Sequence, residues 1–370
     1  MKTKIYLLFI FTVILTACTS KQRQQSAETV LIDTAASVSS FPEIEAGESF
    51  YKKQNPFGET IELTGKNITG DTAIFKPSEC EMLVKGDFLV MKNFGQPLRV
   101  FNLPSLMQAT TVGKWGSGPD EFLNPTLVPS IEKDNLCYVF ENTNHKLYKL
   151  SSNGLLDYYA TPFRTKEKRD QFGESRLISN LSNNDFMYVG ESPTGKSIYR
   201  ITQQGDSVVT KEIFNLGLNP NRKSPFAYIG SFAVNTTKRR MAYAYKYFKI
   251  IKFMDLDANV VHAVNFEREE FDENTLYKVD GLDQNVTHYW GACAQDDYVY
   301  FLYSGRTPVE VVNDGQKENY YIFVEQYDWN GKPIAKFRLD QWGYFTVDEK
   351  NKKIILVSTN HDEPFFVYQL

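Results

Sequence analysis

The stretch DDYVYFLY, residues 296–303, is a polar turn that opens into a run of aromatic and β-branched residues. Adjacent aspartates favour a turn, and valine, tyrosine and phenylalanine fit a pleated, half-buried strand. The same pattern recurs as GDFLVM (86–91), DNLCYVF (134–140), NDFMYV (184–189), KRRMAYAY (238–245) and KKIILVS (352–358). With Asp87, Asn135, Asp185, Arg240, Asp297 and Lys353 as anchors, the spacings are 48, 50, 55, 57 and 56 residues. Six copies with a period near 53 residues mark a repeat architecture.

Each copy carries further strand signals. A second apolar segment follows: LRVFNL, HKLYKL, SIYRI, FKIIKFM, YIFVEQYD and PFFVYQL. Turn signals such as SSNG (151–154) and DWNG (328–331) then lead to outer strands such as LLDYYA (155–160) and PIAKFRL (333–339). Another strand precedes each anchor, as in WGACA (290–294) and GYFTV (343–347). Each unit is therefore four short antiparallel strands. The expected fold is all-β, a six-bladed β-propeller, in which radial repetition buries every blade face and leaves short edges. The last unit stops one strand short, and ETIEL (59–63) is a spare strand ahead of the first complete unit. ETIEL is expected to supply the missing outer strand and close the ring. An open solenoid or a pair of sandwiches explains neither the missing strand nor the spare one.

The N-terminus carries an address. Lys2 and Lys4 precede the apolar run IYLLFIFTVILTA (5–17), which is too short for an ordinary transmembrane helix. It ends in Leu15-Thr16-Ala17-Cys18, which resembles the lipobox of bacterial lipoproteins. That resemblance implies cleavage after residue 17 and lipidation of Cys18, with stable anchoring by several acyl chains. Thr19 in place of Asp, and a following SKQRQQS without an acidic cluster, point by the same resemblance to the outer membrane, facing the periplasm. Residues 18–57 read as a lipidated cysteine and tether, and 58–370 as the propeller.

GSGPDEF (116–122), LYSGR (302–306) and YDWNGKPIAKFRLD (327–340), taken with the lipobox, resemble TolB-like six-bladed propeller lipoproteins of Bacteroidetes. The resemblance covers most of residues 59–370. It implies a fold and a cell-envelope location, and no substrate.

Composition narrows the function. Without the signal, 39 basic residues stand against 45 acidic ones, a net charge near −6. Nonspecific nucleic-acid binding needs a basic face, so nucleic acid is not an expected partner. Cys80, Cys137 and Cys293 are far apart and odd in number, which excludes a disulfide framework and leaves room for one bridge. The apolar settings of Cys137 and Cys293 favour packing thiols. The four histidines are not at metal-ligand spacing, and HExxH, CxxC and G-x-S-x-G are absent. No metal, cofactor or catalytic residue is assigned. A pair of glycosidase carboxylates is not decided by counting acids.

GKWGSGPDEF (113–122) looks like a phosphate loop, but it lacks GxxxxGK[ST] and no helix follows. It lies between an outer strand, QATTV (108–112), and the next inner strand, TLVPSI (126–131), and so reads as a crossover between blades. Asp120 and Glu121 either line the channel mouth or cap backbone amides in the turn. In a propeller the crossovers share one face with the loops joining second and third strands. On that face, or beside it, Arg306, Tyr303, Asn142, Asp120 and Glu121 are the candidate ligand contacts. Arg306 could grip a carboxylate, or pair structurally with an acid such as Glu310. The expected function is a lipid-anchored binding module for a glycan, peptide or protein. Two alternatives stay open: a hydrolase or lyase acting on glycans or peptides at the channel mouth, and a structural subunit of an envelope complex.

Overall fold

The computed structural model describes residues 49–50, 56–68, 77–118, 121–143, 146–152, 156–159, 177–204, 207–265 and 285–370. The signal, Cys18 and Asp120 lie outside them. The repeat folds as read from the sequence, into six antiparallel four-stranded blades in chain order, two of which gain a parallel fifth strand. The first blade is Glu81–Lys85, Phe88–Lys92, Leu98–Asn102 and Met107–Val112. The fifth is Thr287–Ala294, Tyr298–Arg306, Ile322–Asp328 and Pro333–Leu339. First strands of neighbouring blades approach one another around the axis.

The core lies between the sheets. Val128, Tyr138 and Phe140 of the second blade pack on Ile178, Phe186 and Ile201 of the third. Leu89, Met91 and Phe101 of the first pack on Ile355, Val357 and Phe365 of the sixth, which seals the ring with side chains. Each large apolar side chain buried in this way contributes about 1.5–3 kcal/mol. Cys80, Cys137 and Cys293 are free thiols buried in these layers, and burial raises the pKa of each.

An N-terminal strand does close the ring, but ETIEL is not that strand. Ile61–Leu63 runs parallel to Pro333–Leu339 and adds a fifth strand to the fifth blade. Lys66–Asn67 pairs antiparallel with Phe365–Gln369 and completes the sixth. Asn67 Nδ2 adds a hydrogen bond of 2.8 Å to the Glu363 carbonyl, and the Ile68 amide donates to the Phe365 carbonyl at 2.9 Å. Between the two strands the chain passes the Tyr368 ring at Gly65, where a Cβ would lie 2.7 Å from Cζ. Only a glycine permits that crossing. Earlier in the chain, Ser49–Phe50 pairs parallel with Val260–Asn265 of the fourth blade. Described strands of the N-terminal segment thus pair with three successive outer edges, the last of which closes the ring.

Candidate functional site

The loop joining the second and third strands of the fifth blade contains a helix, Pro308–Gln316. The sequence encodes it in TPVE (307–310). Thr307 Oγ1 accepts from the Glu310 amide at 3.2 Å, and Glu310 Oε2 accepts from the Thr307 amide at 2.8 Å. This is a capping box with proline in the first turn. The strand pattern overlooked it, although the Thr-x-x-Glu signature was legible.

Gly305, at φ +68°, turns the end of the preceding strand. A Cβ there would strike the Tyr303 hydroxyl at 2.5 Å, so glycine is required on two grounds. Arg306 then reaches under the helix. Its Nη1 donates to Asp314 Oδ2 at 2.8 Å and its Nη2 to the Tyr321 carbonyl. The guanidinium lies 3.8 Å from the Tyr321 ring centre and 5.5 Å from that of Trp342. Arg306 is only 8% exposed. Of the two readings of this residue, the structural pair exists, but with Asp314; Glu310 is committed to the cap.

Arg306 also lines a groove of about 380 Å³ between the helix and the sixth blade. Its walls are Val311, Val312, Gln316, Asn319 and Tyr320 from the helical connector, facing Trp342, Thr359 and Asn360. Trp342 belongs to the crossover into the sixth blade. Thr359 and Asn360 belong to that blade's loop between its second and third strands.

The aromatic surface continues past the groove wall. Trp342 meets Trp290 edge to face, with centres 5.5 Å apart at 87°. Trp290 has no residue opposite it, because the pairing jumps from Tyr289↔Tyr303 to Gly291↔Leu302. Such a bulge re-aims a side chain, and Trp290 is 42% exposed. Lys246, from the loop of the fourth blade, places Nζ 4.7 Å from the Trp290 ring centre and 5.4 Å from that of Tyr247. Burial holds this ammonium below the usual lysine range. His288, two residues before Trp290, is buried and stacks at 6.1 Å on Tyr303. Burial, and then the nearby Lys249 charge, push its pKa down to about 4.

Tyr303 itself packs between blades, with Lys336 Nζ 4.2 Å from its ring centre. Asn142 lies in the loop after the second strand of the second blade and Glu121 in the crossover from the first blade to the second, and by ring order the second blade stands opposite the fifth. Asn142 Nδ2 donates to the Asn124 carbonyl at 2.8 Å and to Thr126 Oγ1 at 3.0 Å. Glu121 Oε2 accepts from the Gly118 amide at 2.7 Å, which is the amide-capping role weighed for this turn. Lys114–Trp115 and Glu121–Phe122 form a short parallel ladder that closes the GKWGSGPDEF loop on itself. The buried Glu141 carboxylate anchors its exit, accepting from the amides of Leu123 at 3.0 Å and Thr143 at 2.9 Å. The structure therefore gathers Arg306 and Tyr303 into the fifth blade and leaves Asn142 and Glu121 across the ring.

The tryptophans were missed from sequence, yet they left a trace. Three of the four, Trp115, Trp290 and Trp342, precede a glycine. Each lies in a crossover or in an inner strand. At Gly343 a Cβ would lie 2.1 Å from the Val357 carbonyl oxygen. The exposed aromatic side chains among the described residues, Phe94, Trp115, Phe226 and Trp290, all lie on this crossover face. Phe94 and Trp115 form a second edge-to-face pair at 4.9 Å. The opposite face is held by charged turns, including the ion pairs Lys350–Asp87 and Lys238–Asp297 that join neighbouring blades.

Comparison with known proteins agrees with this architecture. A member of the DUF4221 family from Bacteroides vulgatus superposes with a TM-score of 0.55 at 14% identity, covering 84% of this chain and 96% of that one. A Bacteroides fragilis protein described as exported superposes with a TM-score of 0.50 at 12% identity, covering 83% and 94%. At such identities the likeness concerns the fold alone. No curated protein matches the chain. The model of the TolB-like 6-blade propeller-like family matches residues 57–350, and the chain belongs to that family.

Proposed function

We propose that this protein is a non-enzymatic binding module of the cell envelope, and that it takes its ligand in the groove beside Arg306. The observation that carries this reading is the groove's lining: a guanidinium, three side-chain amides, two hydroxyls and two aromatic rings. Amides and hydroxyls both donate and accept, which suits recognition of a polar ligand. Among the described residues that line it, none is a carboxylate, histidine or cysteine that could act as acid, base or nucleophile. Arg306 serves as the rigid floor, because its two terminal nitrogens are already committed to Asp314 and Tyr321.

The anchoring reading belongs here too. The LTAC motif at 15–18 supports lipidation of Cys18 and outer-membrane attachment facing the periplasm. The export description of the Bacteroides fragilis relative is in keeping with it. Intact-mass measurement on the mature protein should give an acylated N-terminus at Cys18; a mature chain starting elsewhere without lipid refutes the anchor.

The binding reading is tested by passing solubilised envelope glycans and peptides over immobilised full-length protein and over a Trp342→Ala/Asn360→Ala variant. Retention by the parent and loss by the equally stable variant is the expected result. Equal retention by both removes the groove from the function.

A further inference from the structure

The row Lys246, Trp290, Trp342 and Arg306 leads by successive contacts into the groove, and its chemistry narrows the ligand. We propose that Lys246 and the two tryptophans form a subsite for a carboxylate-bearing sugar, with the pyranose against the aromatic corner and its carboxylate on Lys246. This rests on the binding reading above and deepens it.

Three observations carry it. First, no carboxylate among the described residues pairs with Lys246; the contacts of its ammonium are the Trp290 and Tyr247 rings. A cation partly withdrawn from water and facing aromatic rings is available to an anion brought by a ligand. Second, a further cation stands close by: the Lys249 charge adds to burial in depressing the pKa of His288, two residues before Trp290 in the same strand. Third, the bulge holds Trp290 open at 42% exposure, against a second tryptophan set at 87° to it. Two flat apolar faces meeting at a corner suit the C–H faces of a sugar ring. Beyond them Gln316, Asn319, Asn360 and Thr359 offer the paired donors and acceptors that sugar hydroxyls need. An acidic peptide would use the charge but leave much of this amide and aromatic lining unmatched.

The probe is tetragalacturonate, compared with its methyl ester and with tetraglutamate, titrated calorimetrically into the full-length protein in detergent. Tryptophan fluorescence supplies a second readout. The expected result is binding of tetragalacturonate that weakens about tenfold or more on esterification, and likewise in Lys246→Met, as loss of a charge-assisted contact requires. The ester comparison uses the unaltered protein, so it decides the matter even if a variant folds poorly. Equal affinity for the methyl ester, equal affinity for tetraglutamate, or unchanged affinity in Lys246→Met each overturns the proposal, as does failure of tetragalacturonate to bind. If the uronate fails while the groove variant still loses envelope ligand, only this inference falls. If both experiments fail, the binding reading falls with it.

Discussion

Ring closure depends on one glycine, and Gly65→Ala measures how firmly. A Cβ at residue 65 would lie 2.7, 2.8 and 2.9 Å from Cζ, Oη and Cε1 of Tyr368, nearer than real contacts allow. Tyr368 cannot swing aside freely: it is fully buried and its hydroxyl donates to Asp340 at 2.9 Å. Something must yield. Overpacking of this kind costs about 1–3 kcal/mol. Letting the strand go instead forfeits the hydrogen bonds from Gly65 to Asp340, from Asn67 to the Glu363 and Phe365 carbonyls, and from Ile68 to Phe365. At about 0.5–1.5 kcal/mol each, that release costs at least as much as the clash, so the strained but closed ring should persist. Urea unfolding of the full-length protein should show a loss of about 1–3 kcal/mol at unchanged slope. The mechanism is isolated by a double-mutant cycle with Tyr368→Leu, since leucine lacks all three atoms named. The glycine substitution should cost almost nothing in that background. An equal cost in both backgrounds, or no cost in the parent, refutes the account of closure.

Two further outcomes follow from the site. His288 has a folded pKa of about 4 against an ordinary value of 6.5, so the unfolded chain binds its proton first as pH falls. Stability should therefore drop between about pH 7.5 and pH 5 by roughly 2 kcal/mol from this group, and His288→Gln should flatten that part of the profile. A parent and variant with the same slope remove His288 from the effect. Glu141→Ala should cost about 3 kcal/mol or more, because it strands the amides of Leu123, Asn124 and Thr143 beside a cavity. Glu141→Gln, which keeps an acceptor, should recover part of that loss in the same melts; equal melting of all three proteins contradicts the anchoring role.

The blades were legible because their signal is local and repeated. A turn such as Asp296-Asp297 followed by YVYFLY states strand, register and burial within eight residues, and six copies fix the ring. The crossover character of GKWGSGPDEF was legible for the same reason: its neighbours in sequence are its neighbours in space. Ring closure was legible only as a need. Choosing Lys66–Asn67 over Ile61–Leu63 depends on a crossing beside Tyr368, some 300 residues away in sequence, which no local pattern encodes. The candidate site divides along the same line. Arg306 could be flagged from its place at the end of LYSGR, but its partner could not. The cap on the helix takes Glu310, and the turn of that helix delivers Asp314 instead. The Lys246–Trp290–Trp342 row joins three blades through a bulge, and bulges are set by the pairing of whole strands. Sequence determined the ring and the face that carries the loops. The meeting of side chains from different blades on that face was decided only by the tertiary structure, because angular placement around an axis is a property of all six sheets packed together.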